Sequence, residues 1–213
     1  MGIQDKGAFG GFRNKTGALV GRILKGQNVI TAMPVKSKKA ATQKQIDQRL
    51  RFGLVTHFLA WLRNLVVPGF QDREQRQSPM NKAVQYNLRY AVTGSSPQFS
   101  IDYPKVMFSQ GKCPLPANIS AQAVAGGKIG FSWGLSNLGN HGQPTDQVNL
   151  VVYSLQKAQF VVLEKAAARS EGSFEMQLPI EYTGDEVYCY LNFVSANGKL
   201  VSNSAYIAQV SIL

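Results

Sequence analysis

The sequence is short of the side chains that carry out chemistry. It holds two histidines and two cysteines in 213 residues, and only 12 acidic residues. Cys113 and Cys189 lie far apart, which argues against a disulfide framework and for a reducing compartment. Together with His57 and His141 they make no metal-ligand spacing. No serine-hydrolase elbow is expected, and the carboxylates of the C-terminal half sit at turns and strand ends rather than as a catalytic pair. Asn14-Lys15-Thr16 lacks the glycine that a phosphate loop places before its lysine. No apolar run approaches the roughly 18 residues of a membrane span. The opening MGIQDKGAFGG has no apolar core of a secretory signal, and Lys6 stands where myristoylation needs Ser or Thr. The expectation is a soluble protein of cytoplasmic synthesis, not an enzyme, with no catalytic residues, metal or cofactor.

What is present is positive charge, unevenly placed. Residues 1–90 carry 16 Lys and Arg against four acids, a net +12, whereas residues 91–213 carry seven against eight. One half therefore holds the whole excess, as a segment facing DNA, RNA or another polyanion would. A basic half also suits an acidic neighbouring surface, or solubility alone. The polyanion-binding candidates are Arg13, Lys15, Arg22, Lys25, Lys36, Lys38, Lys39, Lys44, Arg49 and Arg51. Because no base-reading motif accompanies them, any nucleic-acid binding should be tolerant of sequence.

The patterning gives an α+β chain in three segments. Residues 1–34 read as a glycine-rich β-ribbon, with a type I turn at Asn14–Gly17 and another turn at Lys25-Gly26. So small a ribbon needs a partner surface, and Phe9, Phe12, Leu19, Ile23 and Val29 are its candidates for self-association. Residues 35–97 read as a basic linker and an antiparallel helix pair. The first helix opens on a Thr42/Gln45 capping box, buries Ile46, Leu50, Leu54, Phe58, Trp61, Leu62 and Leu65, and ends at Pro68-Gly69. The second starts at Ser78-Pro79 and turns Met80, Val84, Leu88 and Ala91 inwards. Residues 98–213 hold nine short β-runs, from Phe99–Tyr103 and Lys105–Ser109 to Ala205–Ile212, which predict an antiparallel sandwich. In Val187–Phe193, Val, Cys, Leu and Phe alternate with Tyr188 and Tyr190, so one face is predicted to pack on a second sheet and Cys189 to lie in the core.

Phe131-Ser132-Trp133, then Leu178-Pro179, Tyr182 and the Val-Tyr-Cys-Tyr-Leu strand, resemble a fibronectin type III or immunoglobulin-like domain. The whole chain is similar to an uncharacterised family of small proteins from Bacteroidota. That likeness rests on Gly10-Gly11-Phe12, Lys15-Thr16-Gly17, Gln48-Arg49, Ile101-Asp102-Tyr103 and Asn197-Gly198-Lys199. The hairpin, linker and Gln-x-x-Arg helix also resemble virion-associated segments of phage and prophage proteins. The shortage of catalytic groups, the immunoglobulin-like half and a ribbon too small to stand alone lead to the expectation of a non-enzymatic structural protein that self-associates, with the phage and prophage resemblance implying a virion or other assembled particle. The alternative is a monomeric, sequence-nonspecific nucleic-acid-binding protein. A glycan-binding module using loops near Trp133 and His141 is a third reading, and it would require secretion.

Overall fold

Gly17 and Gly26 adopt φ of +59° and +81°, which an L side chain resists, and each occupies a two-residue hairpin loop. These loops organise the ribbon. The computed structural model describes residues 2–3, 13–24, 26–35, 39–70, 77–135, 138–139 and 141–213. Within them β1 (Gly2–Ile3), β2 (Asn14–Thr16), β3 (Leu19–Leu24) and β4 (Gln27–Ala32) pair in the order β1-β4-β3-β2. The turn expected over Asn14–Gly17 lies further along. Asn14–Thr16 is strand, and Gly17-Ala18 reverses the chain between the paired Thr16 and Leu19. A two-residue loop that matches the strands' twist needs positive φ, and Gly17 supplies it.

The chain forms two compact units, Met1–Thr42 and Gln43–Leu213. The second begins with α1 (Gln43–Ala60), α2 (Arg63–Gly69) and α3 (Pro79–Tyr90). As anticipated, the Ser78 side chain caps α3 by accepting from the Asn81 N–H at 3.2 Å, and Pro79 fills the first turn. The first helix departs from expectation, because it breaks at Trp61-Leu62 and Pro68 lies inside α2. Its buried residues are Val55, Phe58, Leu59, Leu62, Leu65 and Val66, whereas Ile46, Leu50 and Trp61 are exposed and Leu54 is half-buried. An i, i+4 row winds about 40° around the axis at each step, so Ile46 sits about 120° away from Phe58. One core-facing stripe cannot hold both. From α3, Ala83, Val84 and Asn87 are buried, while Met80 and Leu88 are half-buried against the same core.

The hairpin of β5 (Val92–Ser95) and β6 (Gln98–Ile101) leads to a stretch, Lys105–Ser109, that is not the strand its sequence suggested. The buried Asn87 satisfies the backbone there instead. It accepts from the Met107 N–H at 2.9 Å and donates to the Met107 carbonyl at 2.6 Å. Beyond it come β7 (Ser120–Val124), β8 (Lys128–Ser132), β9 (Gln147–Ser154), β10 (Gln159–Ala168), β11 (Ser173–Gln177), β12 (Glu186–Val194) and β13 (Ala205–Ser211). Two antiparallel sheets result, β11-β8-β7 and β10-β9-β12-β13. The fold is α+β with a seven-stranded sandwich of the fibronectin type III or immunoglobulin-like kind.

The four-stranded sheet is covered on both faces. Val148, Leu150, Val152, Cys189, Leu191 and Phe193 join Ile129, Phe131, Trp133 and Met176 in one core. The alternate residues Val151, Tyr153 and Tyr190 join Phe58, Leu59, Leu62, Val84 and Phe108 in a second core under the helices. The residues of β9 from Val148 to Ser154 are accordingly all buried. Alternation across the strand predicted the first core, and the helices supply the second.

Candidate functional site

The two thiols lie in the interior. Cys113 and Cys189 are free and buried. Burial pushes the Cys113 thiol up to about 11, aided by the Asp146 carboxylate, and pushes Cys189 up to about 12. Both are poor thiolates at neutral pH. His57 and His141 are exposed. Among the described residues no group of three His, Cys, Asp or Glu could hold a metal ion. The expectation that no hydrolase elbow exists overlooks Gly130-Phe131-Ser132-Trp133-Gly134, which matches the Gly-x-Ser-x-Gly spacing. The structure removes it as a nucleophile site. Ser132 ends β8, and its hydroxyl lies 2.7 Å from that of Ser120 on the neighbouring strand, not at a strand-to-helix turn. Trp133 does not serve a surface loop either. It is buried, its indole N–H donates to the Arg169 carbonyl at 2.8 Å, and its ring meets Phe193 edge-on at 5.8 Å.

Of the polyanion candidates, Phe-flanked Arg13, with Lys15, Arg22, Lys39, Lys44 and Arg49, is exposed. Arg51 is turned inward. Its guanidinium donates to the Leu88 carbonyl at 2.9 Å and lies 5.8 Å from the Phe99 ring centre, so it ties α1 to α3 and to β6. Lys25, Lys36 and Lys38 lie outside the described residues, as do Phe9 and Phe12. The pairing register sorts the rest of the ribbon onto two faces. Thr16, Leu19 and Ala32 share one face with Gly21, Ile30 and Ile23, while Lys15, Val20, Arg22, Val29 and Leu24 share the other. Leu19 and Ile23 are 37% and 46% exposed, so the first face presents apolar side chains to solvent. Val29 is already buried and belongs to the basic face.

Sequence reading missed an aromatic centre assembled from α1, the turn after β6, β9, β10 and β12. Tyr103 stacks on Tyr188 at 4.5 Å and on Tyr153 at 5.2 Å, and Phe58 meets Phe160 edge-on at 4.9 Å. The Tyr190 hydroxyl donates to the Tyr103 carbonyl at 2.9 Å. Beside it opens a cavity of about 260 Å³ lined by His57, Phe58, Trp61, Phe99, Tyr103, Tyr153 and Phe160 among others, with no Lys, Arg, Asp or Glu in its wall. Its members come from distant segments, so no local spacing could have signalled it.

Burial raises the ionisation of Tyr103 and Tyr190 well above the ordinary phenol value of 10. Together with Cys113 and Cys189 these groups hold their protons more tightly folded than unfolded. Their stabilising contribution is complete below the unfolded pKa values, near 9 to 10, and is lost as pH rises through the folded ones. Urea midpoints measured from pH 8 to pH 11 should therefore fall progressively above about pH 9. A midpoint that stays level to pH 11 would contradict the burial of these groups.

A family of unknown function, DUF6266, matches residues 11–208. The chain belongs to this family. The matched span begins before β2 and ends within β13, so the family pattern covers the ribbon hairpins, the helices and the sandwich together. No curated protein matches the sequence. Among solved structures, the chain is similar to the chicken CNTN1 FN1-FN3 domains, with 11% identity and a TM-score of 0.31 over 48% of this chain and 34% of that one. It thus spans about a third of that structure's length. It is also similar to an fn3 domain of human contactin 1, with 11% identity and a TM-score of 0.32 over 57% of this chain and 93% of that one. No helix among the described residues is long and apolar enough to cross a membrane.

Proposed function

We propose that the protein is a non-enzymatic structural subunit that self-associates through its N-terminal ribbon, with its basic half contacting a polyanion or a neighbouring subunit. The observation that carries this reading is the two-faced ribbon. Leu19 and Ile23 stand exposed on one face, and Lys15 and Arg22 stand exposed on the other. Apolar side chains left in water on a small sheet gain free energy by covering one another, and a second copy presents the same face. Among the described residues the short strand β2 is outermost, an edge to which backbone pairing can extend. The likeness of the hairpin, linker and helix to virion-associated segments supports placing the assembly in a particle of phage or prophage ancestry, and the resemblance to a Bacteroidota family supports a bacterial host.

The test is the mass of the purified, nuclease-treated protein by light scattering. The wild type is expected to exceed the monomer, and the double substitution Leu19→Ser, Ile23→Ser is expected to return it to monomer with the helical and sheet signals intact. A monomeric wild type, or a double variant of unchanged mass, would remove the ribbon from any assembly role.

A further inference from the structure

We propose that the exposed face of α3 is a binding site for single-stranded nucleic acid, with Tyr90 as a stacking platform and Lys82 and Arg89 as phosphate partners. The inference rests on the polyanion half of the reading above and is independent of self-association. Lys82, Tyr86, Arg89 and Tyr90 line one groove of about 210 Å³, with Gln85 and Gln110 completing it. Positions 82, 86 and 89–90 recur at helical spacing, so cation, ring, cation and ring follow one another along one side of α3. The rings of Tyr86 and Tyr90 are 4.7 Å apart, and Tyr90 is 47% exposed. The Arg89 guanidinium stands over the Tyr90 ring, 5.3 Å from its centre, which places a positive group at a half-exposed aromatic side chain.

The charge is complementary to phosphate. α3 itself contains no acidic residue and carries both Lys82 and Arg89. Nucleobases stack on aromatic rings whatever their identity, and lysine and arginine neutralise the intervening phosphates, so a strand of any sequence satisfies both demands. The two amides offer donors and acceptors for base edges without fixing a sequence. Lys82 and Arg89 were absent from the ten cations singled out from sequence, and the structure shows that they share a groove with Tyr86 and Tyr90.

The experiment measures binding of a fluorescein-labelled twelve-nucleotide oligothymidylate to the full-length, nuclease-treated protein by anisotropy, across a salt series. Wild type is expected to bind with an affinity that falls log-linearly with salt. Tyr90→Leu should weaken binding about tenfold, and Tyr90→Phe, which keeps the ring, should retain it. Arg89→Ala should reduce the salt slope by about one phosphate. Both side chains are exposed, and unchanged thermal unfolding of each variant separates lost binding from lost fold. Three results would overturn the proposal. One is no binding at low salt. Another is wild-type affinity in Tyr90→Leu and Arg89→Ala with loss only on combined substitution of Lys36, Lys38 and Lys39. The third is a mononucleotide that binds as tightly as the oligomer. The mass measurement on the ribbon variant can fail while this result stands, and the reverse.

Discussion

Replacing Asp146 with alanine is expected to lower the stability of the sandwich by about 3–5 kcal/mol. Asp146 is fully buried and faces Arg169, whose side chain is also buried, across an Nε–Oδ2 distance of 3.2 Å. The same carboxylate accepts from the Gln143 N–H at 2.9 Å and lies 3.5 Å from the Cys113 thiol. The guanidinium donates to the Pro114 carbonyl at 2.8 Å and rests 4.1 Å from the centre of the Phe193 ring. Two charges in a dry interior are tolerated because each neutralises the other. Removing one leaves the other uncompensated, and that penalty dominates the lost attraction. Replacing both, as Asp146→Leu with Arg169→Met, should recover most of the loss, since apolar groups of similar volume carry no such penalty. Urea unfolding of the two variants checks both expectations. A single substitution that leaves the midpoint unchanged would mean that the pair is solvated.

Phe58→Ala is expected to cost about 3–5 kcal/mol, through lost burial and an unfilled cavity. The ring is 7% exposed and makes aromatic contacts with Tyr103, Tyr153 and Phe160 at 6.0, 5.2 and 4.9 Å, each of the favourable edge-on or tilted kind. It is the side chain through which α1 grips the outer face of β9 and β10. The effect should reach beyond the helices, because one sheet divides the two cores. Far-ultraviolet circular dichroism, which reads the helices, and the buried Trp133, which reads the sandwich, should report the same lowered midpoint. Separate transitions would show that the helices unfold by themselves and that the second core is not shared.

The alternation in Val187–Phe193 made the inner face of β12 legible, because a period of two is a property of the strand itself. The Ser78-Pro79 start of α3 was equally legible, since a cap is a local hydrogen bond. The stripe on α1 was not. Its length of apolar spacing allowed several faces, and the break at Trp61-Leu62 and the packing on β9 selected Val55, Phe58 and Leu59. Nor was the Lys105–Ser109 stretch, where a buried Asn87 from another element takes over the backbone hydrogen bonds. Among the candidate site residues, Leu19 and Ile23 stand exposed on one face as self-association would need, Val29 is buried, and Arg51 is committed to Leu88. Composition gives each of these residues its chemistry, and burial decides whether that chemistry reaches solvent.

By itself the sequence determined an α+β chain with a basic N-terminal half, an antiparallel sandwich and a shortage of groups for catalysis. These follow from counts and from periods of two and near four, which need no knowledge of what lies opposite. Only the tertiary structure decided that the helices close the outer face of the sandwich sheet and that Asp146 and Arg169 meet across 22 intervening residues. Those outcomes depend on pairings between distant segments, which the free energy of the whole packed chain selects and no local pattern records.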